Sequence, residues 1–536
     1  MAPTTAHITC HGLTFGRPDG TPLFDGLDLA LGPGRTGLIG VNGSGKSTLL
    51  RLIAGELTPA AGTVRAAGDI GYLPQNLTLD TSRPVDEVLG IEGTRAALHA
   101  IESGDADPEH FAMVGDDWDI EERTRAVLDD LGLHDVGLDR TVGEISGGQS
   151  VLLRLAALLL RRPAVLLLDE PTNNLDLRAR QRLYAAVDAW RGVLVVVSHD
   201  RELLERVDEI ADLRDGEVVR FGGTLSAYEA AVAVEQEAAE RMVRAAEADV
   251  RRQQRERVEA HEKLARRAAA GRRSARSGSL PKILVGGRER QAQQTAGRTR
   301  ALHEDRLAGA RERLKEAESA VRDDAEIRVE LPATEVPARR RVLTLADLVP
   351  RHGARADLQV LGPERIALTG GNGSGKTTLL RTITGELDPL SGEARVHVPL
   401  RYLPQRLDVL DDELSVYENV RRLAPRVPGQ RIRAQLARFL FRAGRADQVA
   451  GTLSGGERFR ASLAALLLAE PAPQLLLLDE PTNNLDLASV RRLTAALDAY
   501  RGALLVASHD LPFLREIGIT RRLRAEGEEL MEGEPL

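Results

Sequence analysis

The chain has a single cysteine, Cys10, in 536 residues. That excludes an internal disulfide and any iron–sulfur cluster held by the protein's own thiolates, and it fits a reducing cytosol. Long apolar runs are also missing. The longest, such as Val151 to Leu160, are broken by Arg154 and fall short of the ~18 residues a membrane-spanning helix needs, so no membrane span is expected. Met1 to Cys10 carry no basic segment followed by an apolar stretch, so no signal peptide is expected and a cytoplasmic location is. Lysine is almost absent: of 72 basic residues 67 are Arg and five are Lys, namely Lys46, Lys263, Lys282, Lys315 and Lys376. Apolar content of 42% supports ordinary globular cores, and the length calls for more than one.

Two of the five lysines stand in the same motif. Gly40-Val41-Asn42-Gly43-Ser44-Gly45-Lys46-Ser47 and Gly370-Gly371-Asn372-Gly373-Ser374-Gly375-Lys376-Thr377 each fit G-x-x-x-x-G-K-[ST], followed by Thr48 and Thr378. Glycines let backbone N–H groups wrap phosphates, Lys reaches the β and γ phosphates, and the Ser or Thr hydroxyl holds magnesium. If basic residue type were indifferent, Lys at both places would be a roughly one in 200 coincidence. An ammonium is a compact point charge that a planar guanidinium does not replace.

The two loops lie 330 residues apart, and the rest of the chain repeats with them. Tyr-Leu-Pro-Gln ends at Gln75 and again at Gln405, also 330 apart. Ser146-Gly147-Gly148-Gln149 returns as Ser454-Gly455-Gly456-Glu457, 308 on. Asp169 to Asp176 returns as Asp479 to Asp486, and Ser198-His199-Asp200 as Ser508-His509-Asp510, both at 310. The fall from 330 to 308 places 22 extra residues in the first half, expected around Ile91 to Ile120.

Between the halves, residues from about 230 to 330 read as two long helices rich in Ala, Glu, Arg and Gln, separated by Gly271 to Gly287. The first, from about Leu225 to Ala270, would span ~65 Å. Residues 263–300 hold eleven basic side chains and one acid, a net +10 in a chain of net −8. A charge run is commonly a solvated helix face. Here the cations crowd toward the tip of an otherwise acidic protein, which favours a polyanion, most simply nucleic acid, met by Arg272, Arg273, Arg276, Lys282, Arg288 and Arg290. Leu280, Pro281, Ile283, Leu284 and Val285 interrupt the basic tip; closing the hairpin is the common role for such residues, an apolar wedge into an RNA pocket the sharper one.

In each half an apolar run, Leu166 to Leu168 or Leu475 to Leu478, ends in Asp-Glu. Such runs suit strands buried on both faces of a parallel sheet, whose C-terminal edge puts the carboxylates beside the phosphate loop. Asp169 and Asp479 would bind magnesium through water; Glu170 and Glu480 would polarise the attacking water. Ser-Gly-Gly with Gln or Glu opens an apolar helix, offering either a cap or an anion site.

This order of motifs resembles the ATP-binding cassette superfamily over nearly all of residues 5–222 and 340–525. The resemblance implies an α/β fold of two cassettes, each a phosphate-loop domain with a mixed sheet and a helical subdomain, that dock head to tail within one monomer. One ATP site would combine Lys46, Ser47, Gln75, Asp169, Glu170 and His199 with Ser454 to Glu457. The other would combine Lys376, Thr377, Gln405, Asp479, Glu480 and His509 with Ser146 to Gln149. Gln75 and Gln405 would join the magnesium shell, the histidines would contact the γ phosphate, and Asp176 and Asp486 would sit on the cassette interface. Phe15 would stack on adenine at the first site; between Arg328 and Lys376 there is no aromatic to do so at the second.

Two cassettes without a membrane segment, joined by a charged helical hairpin, resemble the ABC-F class. That implies a first cassette over 1–224 with a short arm near 91–120, a hairpin over 225–330 with its basic tip at 271–290, and a second cassette over 331–536. The class implies a 70S ribosome partner, through rRNA and P-site tRNA, and ATP-driven closure acting on the peptidyl-transferase region. The Arg bias suggests a GC-rich genome, and the long tip around Leu280 to Gly287 resembles actinobacterial resistance-type members of the class; that resemblance implies antibiotic resistance by ribosomal protection ahead of housekeeping control of elongation. A fused transport ATPase would normally carry a short linker, and a DNA-repair ATPase zinc modules or far longer coiled coils.

Overall fold

The computed structural model describes residues 7–17, 20–75, 80–173, 175–276, 282–320, 331–406, 408–483 and 485–534. Asn174, Asn484, Leu280 and Pro281 lie outside them. Residues 1–226 and 326–536 form one compact unit, and 227–325 another.

Each half builds a six-stranded sheet. In the first, the spatial order is Ile70–Leu73, Val165–Asp169, Val193–Val197, Gly34–Ile39, Glu209–Arg214 and Glu217–Gly222, parallel except for the last strand. The second repeats it with Leu400–Leu403, Leu475–Asp479, Ala503–Ala507, Arg365–Thr369, Arg521–Ala525 and Leu530–Glu532. All five residues of Val165–Asp169 and of Leu475–Asp479 are buried, as continuous apolar runs in central parallel strands require. Three antiparallel strands complete each mixed sheet layer, Pro22–Leu31, Ile8–Gly16 and Ala61–Ala66 in the first half.

The phosphate loop follows the strand Gly34–Ile39 and opens the helix Lys46–Ile53; in the second half it precedes Lys376–Ile383. Gly40 has φ +150°, and a Cβ there would lie 2.5 Å from the Leu213 carbonyl oxygen; at Gly370 the corresponding contact, to Ala525, is 2.6 Å. Only glycine lets the loop start this close to the neighbouring strand.

The surplus residues of the first half are two helices, Glu92–Glu102 and Pro108–Val114, before Ile120–Asp130. The second half passes directly from Val416–Leu423 to Gly429–Arg438. Arg95 anchors the addition, donating to Asp86 (2.9 Å), Glu121 (2.6 Å) and Asp139 (2.6 Å).

The linking unit contains the helices Leu225–Arg276 and Lys282–Ala320. Arg313 reaches Asp249 at 2.8 Å, while His303 lines a cavity with Val258 and His261; later residues of one helix meet earlier residues of the other, so the pair is antiparallel. Val250, Leu307 and Ala310 form its small core. The break expected at Gly271 to Gly287 is far narrower. The first helix continues to Arg276, ~78 Å in length, and the second already includes Gly286 and Gly287. A glycine inside a helix costs only ~1 kcal/mol, too little to stop one this long.

Cys10 is fully buried and burial pushes its thiol up to about 11. The native protein at pH 8 should therefore be inert to a thiol-reactive dye, and unfolding should expose one reactive thiol per chain. Rapid labelling of the native protein would contradict this packing. Among the described residues no helix is long and apolar enough to cross a membrane.

Candidate nucleotide sites

Lys46 and Lys376 are 7% and 8% exposed, so the ammonium of each is held inside its own loop. Lys46 donates to the carbonyls of Gly40 (2.8 Å) and Val41 (3.1 Å), Lys376 to those of Gly370 (2.8 Å) and Gly371 (3.0 Å). Burial lowers both pKa values, and nearby carboxylates, Glu170 and Glu480 first among them, act the other way.

Asp169 and Asp479 end their strands 1% exposed. Burial raises both carboxyls, opposed by hydrogen bonds from Ser47 and Thr377. The Oδ2 of each accepts from a tyrosine hydroxyl, Tyr72 at 3.5 Å and Tyr402 at 3.2 Å. These tyrosines belong to the repeated Tyr-Leu-Pro-Gln tetrapeptide, whose glutamines alone were singled out above.

Glu170 and Glu480 stand one residue on, at φ +48° and +45°. Left-handed backbone at a non-glycine residue is strained and marks a site where geometry is held by its surroundings. Here the Glu170 N–H is fixed by the Val197 carbonyl and the Glu480 N–H by that of Ala507, both 2.8 Å. Burial drives the Glu170 carboxyl well above its ordinary range and Glu480 to about 7. His199 Nε2 lies 3.0 Å from Glu170 Oε1, and His509 Nε2 3.2 Å from Glu480 Oε1 without hydrogen-bond geometry. Burial, then the lysine of the same site, pushes both imidazoles far down, His509 to about 3, so each is neutral at pH 7.

A cavity of about 470 Å³ gathers Asn42, Gly43, Gly45, Lys46, Ser47, Thr48, Gln75, Glu170 and His199 at the first site. The oxygens Ser44 Oγ, Ser374 Oγ, Asp169 Oδ1 and Asp479 Oδ1 and the ring nitrogen His199 Nδ1 are buried without hydrogen-bond partners. Buried polar atoms left unpaired are costly. Unpaired hydroxyls and carboxylates beside a buried ammonium and a helix N-terminus fit a phosphate chain with a hard divalent cation.

The other cassette contributes Asp486, one of the two aspartates expected on the cassette interface. Asp486 Oδ2 accepts from Asn42 N at 3.0 Å while its Oδ1 caps the helix Leu487–Ala499 through Ser489 N at 2.7 Å. Although burial raises Asp486, these two N–H donors hold it below the ordinary range. At the second site, Asp176 lines a cavity of about 820 Å³ with Gly370, Gly371, Asn372, Gly373, Ser374 and His509. The Ser-Gly-Gly runs are absent from the walls of both cavities. Ser146 with Gln149, and Ser454 with Glu457, close capping boxes on their own exposed helix starts, beginning with Gly147 and Gly455. The phosphate loops meet the opposite aspartate loops, Asn42 at Asp486 and Gly371 beside Asp176, while Gly148 and Gly456 lie in the first turns of their own helices.

Phe15 is half-buried against the first cassette's core, and the cavity wall instead carries Arg17, whose Nη2 donates to Gly43 O at 2.7 Å. Strand register puts His352 at the corresponding place: Thr14 pairs with Ala61 as Val349 pairs with Ser391, three residues before each. His352 Nε2 lies 2.5 Å from Gly373 O. A search confined to Phe, Tyr and Trp overlooks this imidazole. Gln405 and Thr378 follow the second loop in the same order as Gln75 and Thr48 in the first. Of the basic tip, Arg272, Arg273 and Arg276 lie in the last turns of the first long helix and Lys282, Arg288 and Arg290 at the start of the second.

A family model described as ABC transporter matches residues 24–173 and 354–483. The chain is 34% identical to the tylosin resistance ATP-binding protein TlrC of Streptomyces fradiae, covering 94% of this chain and 95% of that protein. It is 31% identical to the probable ATP-binding protein YheS of Escherichia coli K12, over 92% of this chain and 75% of the relative. A solved structure of RNase-L Inhibitor superposes with TM-score 0.55 over 98% of this chain and 89% of that one; at 19% identity this speaks for the fold alone.

Proposed function

The chain belongs to the ATP-binding cassette superfamily and within it to the ABC-F class, and from that membership we propose a cytoplasmic ATPase that acts on the ribosome. As a cassette protein it binds and hydrolyses ATP. The observation carrying the ribosomal reading is the antiparallel hairpin between the cassettes, with net +10 over residues 263–300 of a chain at −8. Such a stripe of cations fits the phosphates of rRNA and P-site tRNA.

In this reading Lys46 and Lys376 hold the β and γ phosphates, and Glu170 and Glu480 orient water. Ser47, Gln75 and Asp169, with Thr377, Gln405 and Asp479, would hold Mg2+, partly through water, and the ion would supply neutralisation of charge on the phosphates. His199 and His509, neutral and beside the glutamates, sense the γ phosphate. The cassettes pair within one monomer, and Ser146 to Gln149 and Ser454 to Glu457 reach the opposite phosphate loops only on closure. Differential affinity of ATP for that closed form drives it. The hairpin is then presented to the peptidyl-transferase region, and antibiotic resistance by ribosomal protection is the favoured outcome. That preference rests on the relative named for tylosin resistance; YheS, named only as a probable ATP-binding protein, keeps a housekeeping role in elongation as the second reading.

Co-sedimentation with 70S ribosomes tests the partner. The Glu170→Gln, Glu480→Gln protein should pellet with ribosomes in ATP and remain in the supernatant without it. Failure to pellet by a protein that still binds ATP would redirect the search to membrane fractions and a transporter partner. Raised drug tolerance of a sensitive host expressing the wild type would favour protection; unchanged tolerance would favour the elongation role.

A further inference from the structure

The two cassettes repeat at a constant offset of 310 from Asp169 to Asp200, so the positions that differ can be matched one to one. Asp200 caps the helix Arg201–Leu204 through Leu203 N (3.0 Å), and Asp510 caps Leu511–Glu516 through Phe513 N (2.9 Å). The two carboxylates act on each other across the cassette boundary. Two cations of the first cassette, Arg180 and Arg201, act on Asp510. Arg180 Nη1 lies 3.2 Å from Asp200 Oδ2, and Arg201 pairs with Glu516 of the second cassette. Their counterparts at the offset are Val490 and Leu511.

Arg180 is placed to link several parts. It is 12% exposed, its Nε donates to the Leu175 carbonyl (3.2 Å) beside Asp176, and Tyr184 completes the Asp200 cluster with a 2.7 Å bond. Its helix, Leu177–Ala189, also sends Leu177, Arg178 and Gln181 into the cavity that holds the second phosphate loop and His509. The guanidinium's positive field acts on Glu480, His509 and Asp510. A fixed charge in so buried a place is weakly screened.

We propose that Arg180 is a positioning residue for the second nucleotide site, acting from the first cassette, and that Val490 leaves the first site without the corresponding guanidinium. Arg180 ties the Ser198-His199-Asp200 loop of the first site to the Asp176 loop, which lines the second-site cavity with His509. A rearrangement at either site is transmitted to the other through Arg180, and Val490 supplies no second link of this kind. The two sites are therefore unequal in turnover.

This inference rests on Glu170 and Glu480 being the water-orienting residues, and it is tested one site at a time. Glu170→Gln leaves the second site working and Glu480→Gln the first. Arg180→Met should lower second-site kcat about tenfold with little change in KM, and first-site kcat by less than about twofold. Arg180→Lys should recover much of the loss, since it restores the charge. Because Arg180→Met strands a buried Asp200, the double variant Arg180→Met, Asp200→Asn is measured beside it; the amide retains the helix cap, and the second-site loss should persist as thermal stability returns. Equal losses at both sites, or full second-site activity in the double variant, would overturn the proposal. If neither glutamine substitution slows turnover, the assignment of the glutamates fails instead, and the Arg180 split is read with Lys46→Ala and Lys376→Ala silencing the sites.

Discussion

A chain carrying Glu170→Gln and Glu480→Gln together is expected to lose ATP turnover by about 10²–10⁴ while retaining ATP binding. Gln keeps the volume of Glu, and the bonds that hold the left-handed backbone, Glu170 N to Val197 O and Glu480 N to Ala507 O, involve no side chain. The amide lacks a basic oxygen able to take a proton from water, so the chemical step suffers and the phosphate loop does not. Stability should respond with a definite sign. Burial raises the Glu480 carboxyl to about 7, above its unfolded value, so between that value and about 7 the folded state holds a proton the unfolded state has released. On this account wild-type stability is fully present below that window and falls as pH rises through it; the double variant lacks that slope. Steady-state phosphate release, fluorescent-nucleotide binding and melting curves at pH 5 and 8 measure the three parts. Turnover above a tenth of wild type would remove both glutamates from the role assigned to them.

Those glutamates were readable from the chain because their chemistry constrains both residue type and order. Lys46 and Lys376 stand out among 67 arginines, and an apolar run ending in Asp-Glu predicts a buried parallel strand, which Val165–Asp169 and Leu475–Asp479 are. The fold was legible for the same reason, since every motif recurs at a countable offset. Other features were hidden for physical reasons. Gly271, Gly286 and Gly287 look like breakers, yet each costs a long helix little. Ser-Gly-Gly reads equally as a cap and as a ligand for the other cassette, and here its side chains complete caps at Ser146 and Ser454. Which cassette elements meet depends on tertiary packing, so Asn42 bonding Asp486 has no local signature. His352 is found by strand register and not by residue class. The contrast of Arg180 with Val490 escapes a reading built on what the halves share, because it lies in what they do not share.

Reversing three charges at the hairpin tip, Arg272→Glu, Arg273→Glu and Arg276→Glu, is expected to weaken ribosome binding by at least ~10²-fold at physiological salt and to leave basal ATP hydrolysis near wild type. The change takes residues 263–300 from net +10 to +4. Each lost phosphate contact should flatten the salt dependence of binding by about one unit of slope, so the variant's affinity should fall less steeply with added salt than the wild type's. The hairpin itself has reason to survive. Its small core at Val250, Leu307 and Ala310 and the Asp249–Arg313 pair lie more than twenty residues from the substitutions along the first helix. Acids near the C-terminal end of that helix, at Arg276, oppose its dipole at a cost of ~0.3–1 kcal/mol each, small beside a 52-residue helix and visible by circular dichroism. The neutral triple Gln variant separates lost attraction from added repulsion, and should fall between the two proteins. Unchanged pelleting of the folded Glu variant would make the basic run a solvated helix face and move the RNA contact to another surface.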